Sequence, residues 1–464
     1  MWEFVHRATV ISLANADLWW HLQTGLEILR THTLPHTGWF SQSATQPWIA
    51  SSWLYDVRVA AWYQLLGIRF LPVLGMIAKF FLAVVMFLLA GGLRGRFWMA
   101  LALSAGAQYV LWLMPPLPVF GSMLAFAIEL ILLLEFRRGS TRALYFVPVL
   151  TLVWANIDFH FVYGVVTLAL FVVAQFVPAQ LKLRPFKAQF TTLVIVTAAS
   201  LIATFVTPYG WKPWGVFWAN ATSAANAYFL DYQSLRFRTP QDYVLLLLAM
   251  AAFLALGLRR SRDWFQIGLL VLCIAAAFHS QRDTWLLALG AVAIIGNAVP
   301  QEAGSFELRA TSREQRRSFL IAAGISFAVL LAFIAVRLPS RDTVLAKIGH
   351  AYPVAAADYI RQNNLPAPLF NSYVWGGFLT WYLPQYPVAI DGRTDLYGAD
   401  TNIQYAKVMN FEAHYSTFPP LNDAGTILLE KSSSAGKALP NAHGFTKVYE
   451  DDVSVVLLRD KAEP

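Results

Sequence analysis

Four short stretches of this 464-residue chain hold residues whose types and spacing could do chemistry. The first is Asp17-Leu-Trp-Trp-His21, followed by Thr24-Gly25. A carboxylate there could act as a general base, its pKa raised by apolar neighbours such as Trp19 and Trp20. Trp20 and His21 beside it are candidate substrate contacts. Asp17 would serve equally as the N-cap of a helix over 18–30, and the two roles are compatible. The second stretch is Trp154-Ala-Asn-Ile-Asp-Phe-His160, where Asn156, Asp158 and His160 alternate and could point into one cavity. Ionisable groups at a membrane edge are functional candidates by default, and Asp17, Asp158 and His160 could together hold a divalent metal ion. The alternative is a solvated loop.

The third stretch, His279-Ser-Gln-Arg-Asp283, offers Arg282 as a bidentate partner for a phosphate or pyrophosphate, or as an interfacial arginine paired with Asp283. Lys212, Arg236 and Arg238 are weaker phosphate candidates. The fourth combines Trp375-Gly-Gly377 with Ile390-Asp-Gly-Arg-Thr-Asp-Leu-Tyr-Gly398, so that Trp375, Asp391, Arg393 and Asp395 form a polar cluster. Such a cluster at a sheet edge suits ligand binding. Arg393 bridging two aspartates to fix loops is the structural alternative. No Gly-x-x-x-x-Gly-Lys loop is present to support ATP-driven transport. The single cysteine, Cys273, excludes an internal disulfide framework.

These residues need elements to carry them, and the composition says which solvent those elements face. Hydrophobic residues make up 57% of the chain and charged residues 13%, against about 25% charged in soluble domains. The net charge of +8 lies in short clusters between apolar runs, which argues for membrane topology and against nucleic acid. A span takes about 20 apolar residues, or about 17 when short. About ten candidates run near 70–92, 97–114, 117–135, 143–157, 161–178, 188–206, 241–258, 264–279, 284–299 and 318–336.

Basic loops (Arg94 and Arg96; Arg137, Arg138 and Arg142; Lys182, Arg184 and Lys187; Arg259, Arg260 and Arg262; Arg309, Arg313, Arg316 and Arg317) alternate with loops poor in Lys and Arg. The basic loops are therefore expected in the cytoplasm, with 17–56 and 337–464 outside. Residues 1–16 then form an incomplete or interfacial first helix, and a late start codon would account for the missing crossing. Region 17–69 is expected to hold amphipathic helices on the outer leaflet, anchored by Trp19, Trp48, Trp53, Tyr55 and Trp62. Residues 70–336 make the helix bundle. Residues 337–464 read as a small extracytoplasmic α/β domain: helices at 352–363, 374–383 and 401–411, strands at 368–370, 387–391 and 425–429, and a hairpin within 446–458.

Asp17-Leu-Trp-Trp-His with Thr24-Gly25, Trp154-Ala-Asn, Pro208-Tyr-Gly-Trp211 and Trp375-Gly-Gly with Ile390–Gly398 resemble a bacterial family of multi-spanning proteins grouped with the GT-C-type glycosyltransferases. The resemblance implies a GT-C-like fold and a sugar donor on a polyprenyl phosphate. It also implies that Asp17 activates an acceptor nucleophile at the outer face of the cytoplasmic membrane, as part of cell-envelope synthesis. The family often continues Trp-Ala-Asn with Leu-His-Gly-Gly; here Asp158 takes the histidine's place. The expected partners are the lipid-linked sugar and membrane lipids, with no cofactor beyond a possible divalent metal. The sugar, acceptor and oligomeric state stay open. The alternative function is non-catalytic, a lipid-linked-glycan transporter or an assembly scaffold.

Overall fold

The computed structural model describes residues 13–94, 96–112, 114–115, 117–180, 190–260, 263–298 and 313–460. Most of the expected first helix therefore lies outside the described residues, as do Pro116, Lys182, Arg184, Lys187, Arg262 and Arg309. In chain order the main helices are α1 (Ala16–Thr31), α2 (Trp53–Leu66), α3 (Leu71–Leu89), α4 (Phe97–Val110), α5 (Pro118–Arg137), α6 (Val147–Ala155) and α7 (Phe161–Gln180). There follow α8 (Phe190–Ala203), α9 (Lys212–Thr222), α10 (Pro240–Leu258), α11 (Trp264–His279), α12 (Thr284–Ala298) and α13 (Arg313–Arg337). Next come α14 (Arg341–Ala351), α15 (Val354–Gln362), β1 (Leu369–Asn371), α16 (Tyr373–Tyr382), α17 (Thr394–Met409), β2 (Thr426–Glu430), β3 (Phe445–Glu450) and β4 (Ser454–Arg459). The chain divides into two compact units: the described parts of Met1–Gly75, Trp218–Tyr228 and Leu338–Pro464, and those of Met76–Phe217 and Phe229–Arg337.

The second unit is a helix bundle. Its axis is α12, apolar all round and buried from Thr284 to Gly296, as such a helix must be to leave water or lipid. Helices α4, α10 and α11 pack against it. Outward faces stay apolar: Leu247, Met250 and Leu254 on α10, and Leu320, Ile325 and Val329 on α13, are exposed. In water such faces would drive association; in hydrocarbon they need no partner. Among the described residues, four helical stretches are long and apolar enough to cross a bilayer: Ile68–Leu89, Pro118–Arg137, Pro240–Leu258 and Arg317–Arg337. At the other expected crossings stand shorter apolar helices, such as Phe97–Val110, Phe190–Ala203 and Trp264–His279. At about 1.5 Å per residue, 14 to 16 residues fall short of about 30 Å of hydrocarbon. These apolar helices mark a membrane protein; among the described residues, four stretches reach full spanning length.

The basic loops of the bundle interlock. Arg94 and Arg138 pair with Glu135, Arg137 pairs with Asp263 at 2.5 Å, and Arg259 and Arg138 donate to the Asn297 carbonyl and side chain. Asp263 also caps α11, its side chain accepting from the Gln266 N–H.

The first unit joins two regions that the sequence reading kept apart. Strand order is β1-β2-β4-β3, with β1 parallel to β2 and the other pairs antiparallel. Helix α1, expected with α2 on the outer leaflet, packs on α2 and α16. Trp19 is wholly buried, its ring stacked on Trp381 at 4.6 Å and its Nε1 donating to the Leu13 carbonyl at 3.2 Å. Trp48 and Tyr55 are buried as well. An indole with its N–H satisfied by protein gains more from a close-packed core than from the headgroup region. The strand expected at 387–391 is an extended segment held by a single bridge, Val388 with Ser41. Asn371 completes its bonding, accepting from the Ala389 N–H at 2.8 Å and donating to the Ile390 carbonyl at 2.8 Å.

Candidate functional site

The candidate residues fall into two groups, one in each unit. In the first unit the local geometry of α1 decides what Asp17 can do. Its N-cap is Asn15, whose side chain accepts from the Asp17 N–H at 2.9 Å. The expectation that Asp17 itself caps the helix is corrected: it lies in the first turn, and its carboxylate is not spent on capping. Trp20 Nε1 donates to Asp17 Oδ1 at 3.0 Å across that turn. Asp17 is half-buried, and a first-turn carboxylate suits the positive end of the helix dipole.

The glycines of the C-terminal motif explain why α1 can lie where it does. A Cβ on Gly392 would overlap Asp17 Oδ1 and stand 3.4 Å from Trp20 Nε1; one on Gly377 would overlap the Ala16 carbonyl. The two motifs, read as separate candidates, form one cradle. Asp391 and Arg393 build it rather than line a substrate surface. Both are buried, and Arg393 Nε donates to both Asp391 oxygens at 3.0 Å while its Nη1 donates to the Trp39 carbonyl at 2.8 Å. The guanidinium also lies 4.6 Å over the Trp48 ring. Burial works against its charge, but the Asp391 carboxylate outweighs this and lifts Arg393 above its ordinary value. Trp375 is buried too. Asp395 is half-buried in the first turn of α17.

His21 is buried and meets a residue the sequence reading missed: its Nδ1 lies 2.5 Å from Asp56 Oδ1. Asp56 stands 35 positions away on α2, brought close where Gly25 of α1 abuts the Asp56 carbonyl. No local spacing signals it. Burial pushes the Asp56 carboxyl well above the usual range, with Arg393 opposing.

In the second unit Asp158 and His160 do face each other, His160 Nδ1 to Asp158 Oδ2 at 2.7 Å. Ser122 Oγ donates to the same oxygen at 2.6 Å, and Trp154 Nε1 donates to Ser122 at 2.7 Å. His160 Nε2 stands 3.6 Å from Asp283 Oδ1, and Tyr163 donates to Asp283 Oδ2 at 2.8 Å. Burial opposes the Asp158 charge, but His160 with its hydrogen bond, Ser122 and Arg282 outweigh it and hold this carboxyl below its ordinary value. Asp283 goes the other way, raised chiefly by burial. The histidine therefore sits between two carboxyls pushed in opposite directions. Asn156 turns elsewhere, donating to the Leu152 and Val206 carbonyls at 2.9 and 3.0 Å, so the three alternating residues do not share one network.

Arg282, offered as a phosphate partner or as the partner of Asp283, lies against aromatic rings, and its charge opposes the upward shift of the Asp283 carboxyl. Its Nη1 donates to the Tyr232 hydroxyl, and its guanidinium lies 5.1 Å over the Tyr232 ring and 5.9 Å over Phe159. Asp17 belongs to the first unit and Asp158 and His160 to the second. Among the described residues no group of three or more His, Cys, Asp or Glu side chains is arranged to hold a metal ion.

Several solved structures match this chain. The archaeal oligosaccharyltransferase AglB from Archaeoglobus fulgidus, solved with an inhibitory peptide and a dolichol-phosphate, matches with a TM-score of 0.53 and 10% identity, over 95% of this chain and 70% of that one. ArnT from Cupriavidus metallidurans, bound to undecaprenyl phosphate, matches with a TM-score of 0.46 and 14% identity, over 98% and 97%. No protein-family model and no curated protein matches the sequence. The chain shares the fold of the archaeal oligosaccharyltransferase AglB.

Proposed function

We propose that this protein is a membrane glycosyltransferase that moves a sugar from a polyprenyl phosphate to an acceptor hydroxyl at the outer face of a bacterial cytoplasmic membrane. The observation that carries the reading is Asp17, a half-buried carboxylate relieved of capping by Asn15 and aimed by Trp20. The fold shared with a protein solved with dolichol-phosphate supports the donor class, and the interlocked basic loops support a cytoplasmic position for that end of the bundle.

Asp17 takes the acceptor's hydroxyl proton as the oxygen attacks the anomeric carbon. The bond from that carbon to the phosphate oxygen breaks with inversion, and the lipid phosphate leaves with one more negative charge. That charge calls for a cationic partner, and within the second unit Arg282, its guanidinium held beside Tyr232 and Phe159, is the candidate for holding a phosphate. His160, Asp158 and Asn156 shape the outer turn beside it, and a divalent ion at the phosphate is compatible with the reaction. Asp17→Asn keeps the shape and removes the base, so transfer from a labelled polyprenyl-phosphate sugar should fall by about 100-fold or more. Unchanged turnover by the folded variant sinks the assignment.

A further inference from the structure

Behind Asp17 runs a chain of contacts that general-base chemistry alone does not require. Trp20 holds Asp17 Oδ1 with its indole N–H, and the Trp20 ring lies on the His21 ring with centroids 3.5 Å apart. The His21 ring is in turn fixed by Asp56 at 2.5 Å and by the edge of Tyr55 at 5.1 Å. Burying Asp56 is costly, because it is 1% exposed and its Oδ2 has no hydrogen-bond partner among the described residues. A well-packed apolar pair would fill the same space at lower cost. The charged and titratable groups around the pair are Asp17 on its own helix, Tyr55 and Arg58 on α2, and Arg393 from the C-terminal loop.

We infer that His21 and Asp56 form a positioning pair for Asp17, acting through the Trp20 ring. The pair fixes the plane of the imidazole, the imidazole fixes the indole, and the indole fixes the carboxylate oxygen. His21 stands four residues from Asp17 on the same helix face, so a proton gained or lost by the pair also changes the charge one turn away. The kinetic part of this inference rests on the proposed glycosyl transfer; the structural part does not.

The test uses full-length protein in nanodiscs with fluorinated tryptophan. The chain has 17 tryptophans, and Trp20→Phe assigns the Trp20 fluorine resonance. In the unsubstituted protein this resonance should shift with pH. In Asp56→Asn it should be displaced and lose that pH dependence while the other resonances stay in place. His21→Phe keeps a ring under Trp20 and removes the imidazole of the pair while Asp17 and Asp56 stay, so it covers the case in which Asp56→Asn fails to fold. A Trp20 resonance that follows the same pH curve in His21→Phe overturns the pair. In transfer assays Asp56→Asn should lower kcat by about 10- to 100-fold with donor KM unchanged. It should add no further loss to Trp20→Phe; additive losses argue against a shared route to Asp17. If the unsubstituted protein transfers no sugar, the proposed function falls and the fluorine spectra still decide the positioning pair.

Discussion

The two units each bury a histidine against carboxyl groups, and they do so by opposite means. In the first unit His21 meets the Asp56 carboxyl, and the surrounding support comes from distant chain: the Gly392 loop, Arg393 and Trp48. In the second unit His160 lies between two carboxyls, and its support comes from helix ends: Ser122 near the start of α5, Trp154 near the end of α6, and Tyr163 in the first turn of α7. One cluster depends on long-range assembly and the other on short turns between apolar helices. Substitutions that loosen loops should therefore damage the first unit most, and changes of charge should be read most directly in the second.

The largest expected effect is on Arg393. Arg393→Met leaves Asp391 buried with its ion-pair partner gone and withdraws the donor to the Trp39 carbonyl. The loss should be about 3–5 kcal/mol, enough to disorder the first unit, measured by chemical unfolding. The cradle glycine comes next. Gly392→Ala puts a methyl group into Asp17 Oδ1, so transfer should fall by about 100-fold even in molecules that stay folded. Its counterpart in the second unit is Gly164→Ala, whose Cβ would stand 2.5 Å from the Trp154 ring and 2.7 Å from Glu129 Oε2. That change should cost about 1–3 kcal/mol of stability and leave turnover per folded molecule within a few-fold. Equal kinetic losses in the two alanine variants would erase the proposed difference between the units.

Much of this contrast was legible in the sequence, but unevenly. Apolar runs and basic loops located the bundle helices, because a helix in hydrocarbon has few ways to be written. The short apolar runs within Thr426–Glu430 and Ser454–Arg459 likewise marked β2 and β4. What misled was Trp19: an aromatic amphipathic helix looks the same whether its rings meet headgroups or a protein core, and only the partner, here Trp381, decides. Asp17 and Asn15 are both good caps two residues apart, so local sequence did not separate them. Asp56 was invisible because its role depends on a helix crossing at Gly25. Asp283 was seen only as a partner for its neighbour Arg282, whereas the fold gives it Tyr163 and His160.

The smallest expected effect is also the sharpest comparison, since it lies within one cluster. Asp158 has its carboxyl held below the ordinary range, so its contribution to stability is fully present above the unfolded value of about 3.9 and is lost as pH falls through the lower folded value. Asp283 has the opposite sign. Its folded carboxyl binds a proton more tightly than the unfolded one, so its contribution is present in acid and fades as pH rises from about 4 through the raised value. Asp158→Asn should therefore cost about 1–3 kcal/mol at neutral pH, through the lost bonds from His160 and Ser122. Asp283→Asn should change neutral-pH stability by about 1 kcal/mol or less, since the amide keeps an acceptor for Tyr163 and removes a charge that the fold disfavours. Thermal unfolding across pH in nanodiscs reads both: the first variant should flatten the acid limb, the second the fall above pH 4. If the two variants flatten the same limb, His160 does not sit between carboxyls of opposite tendency, and the second cluster is a single coupled pair like the first.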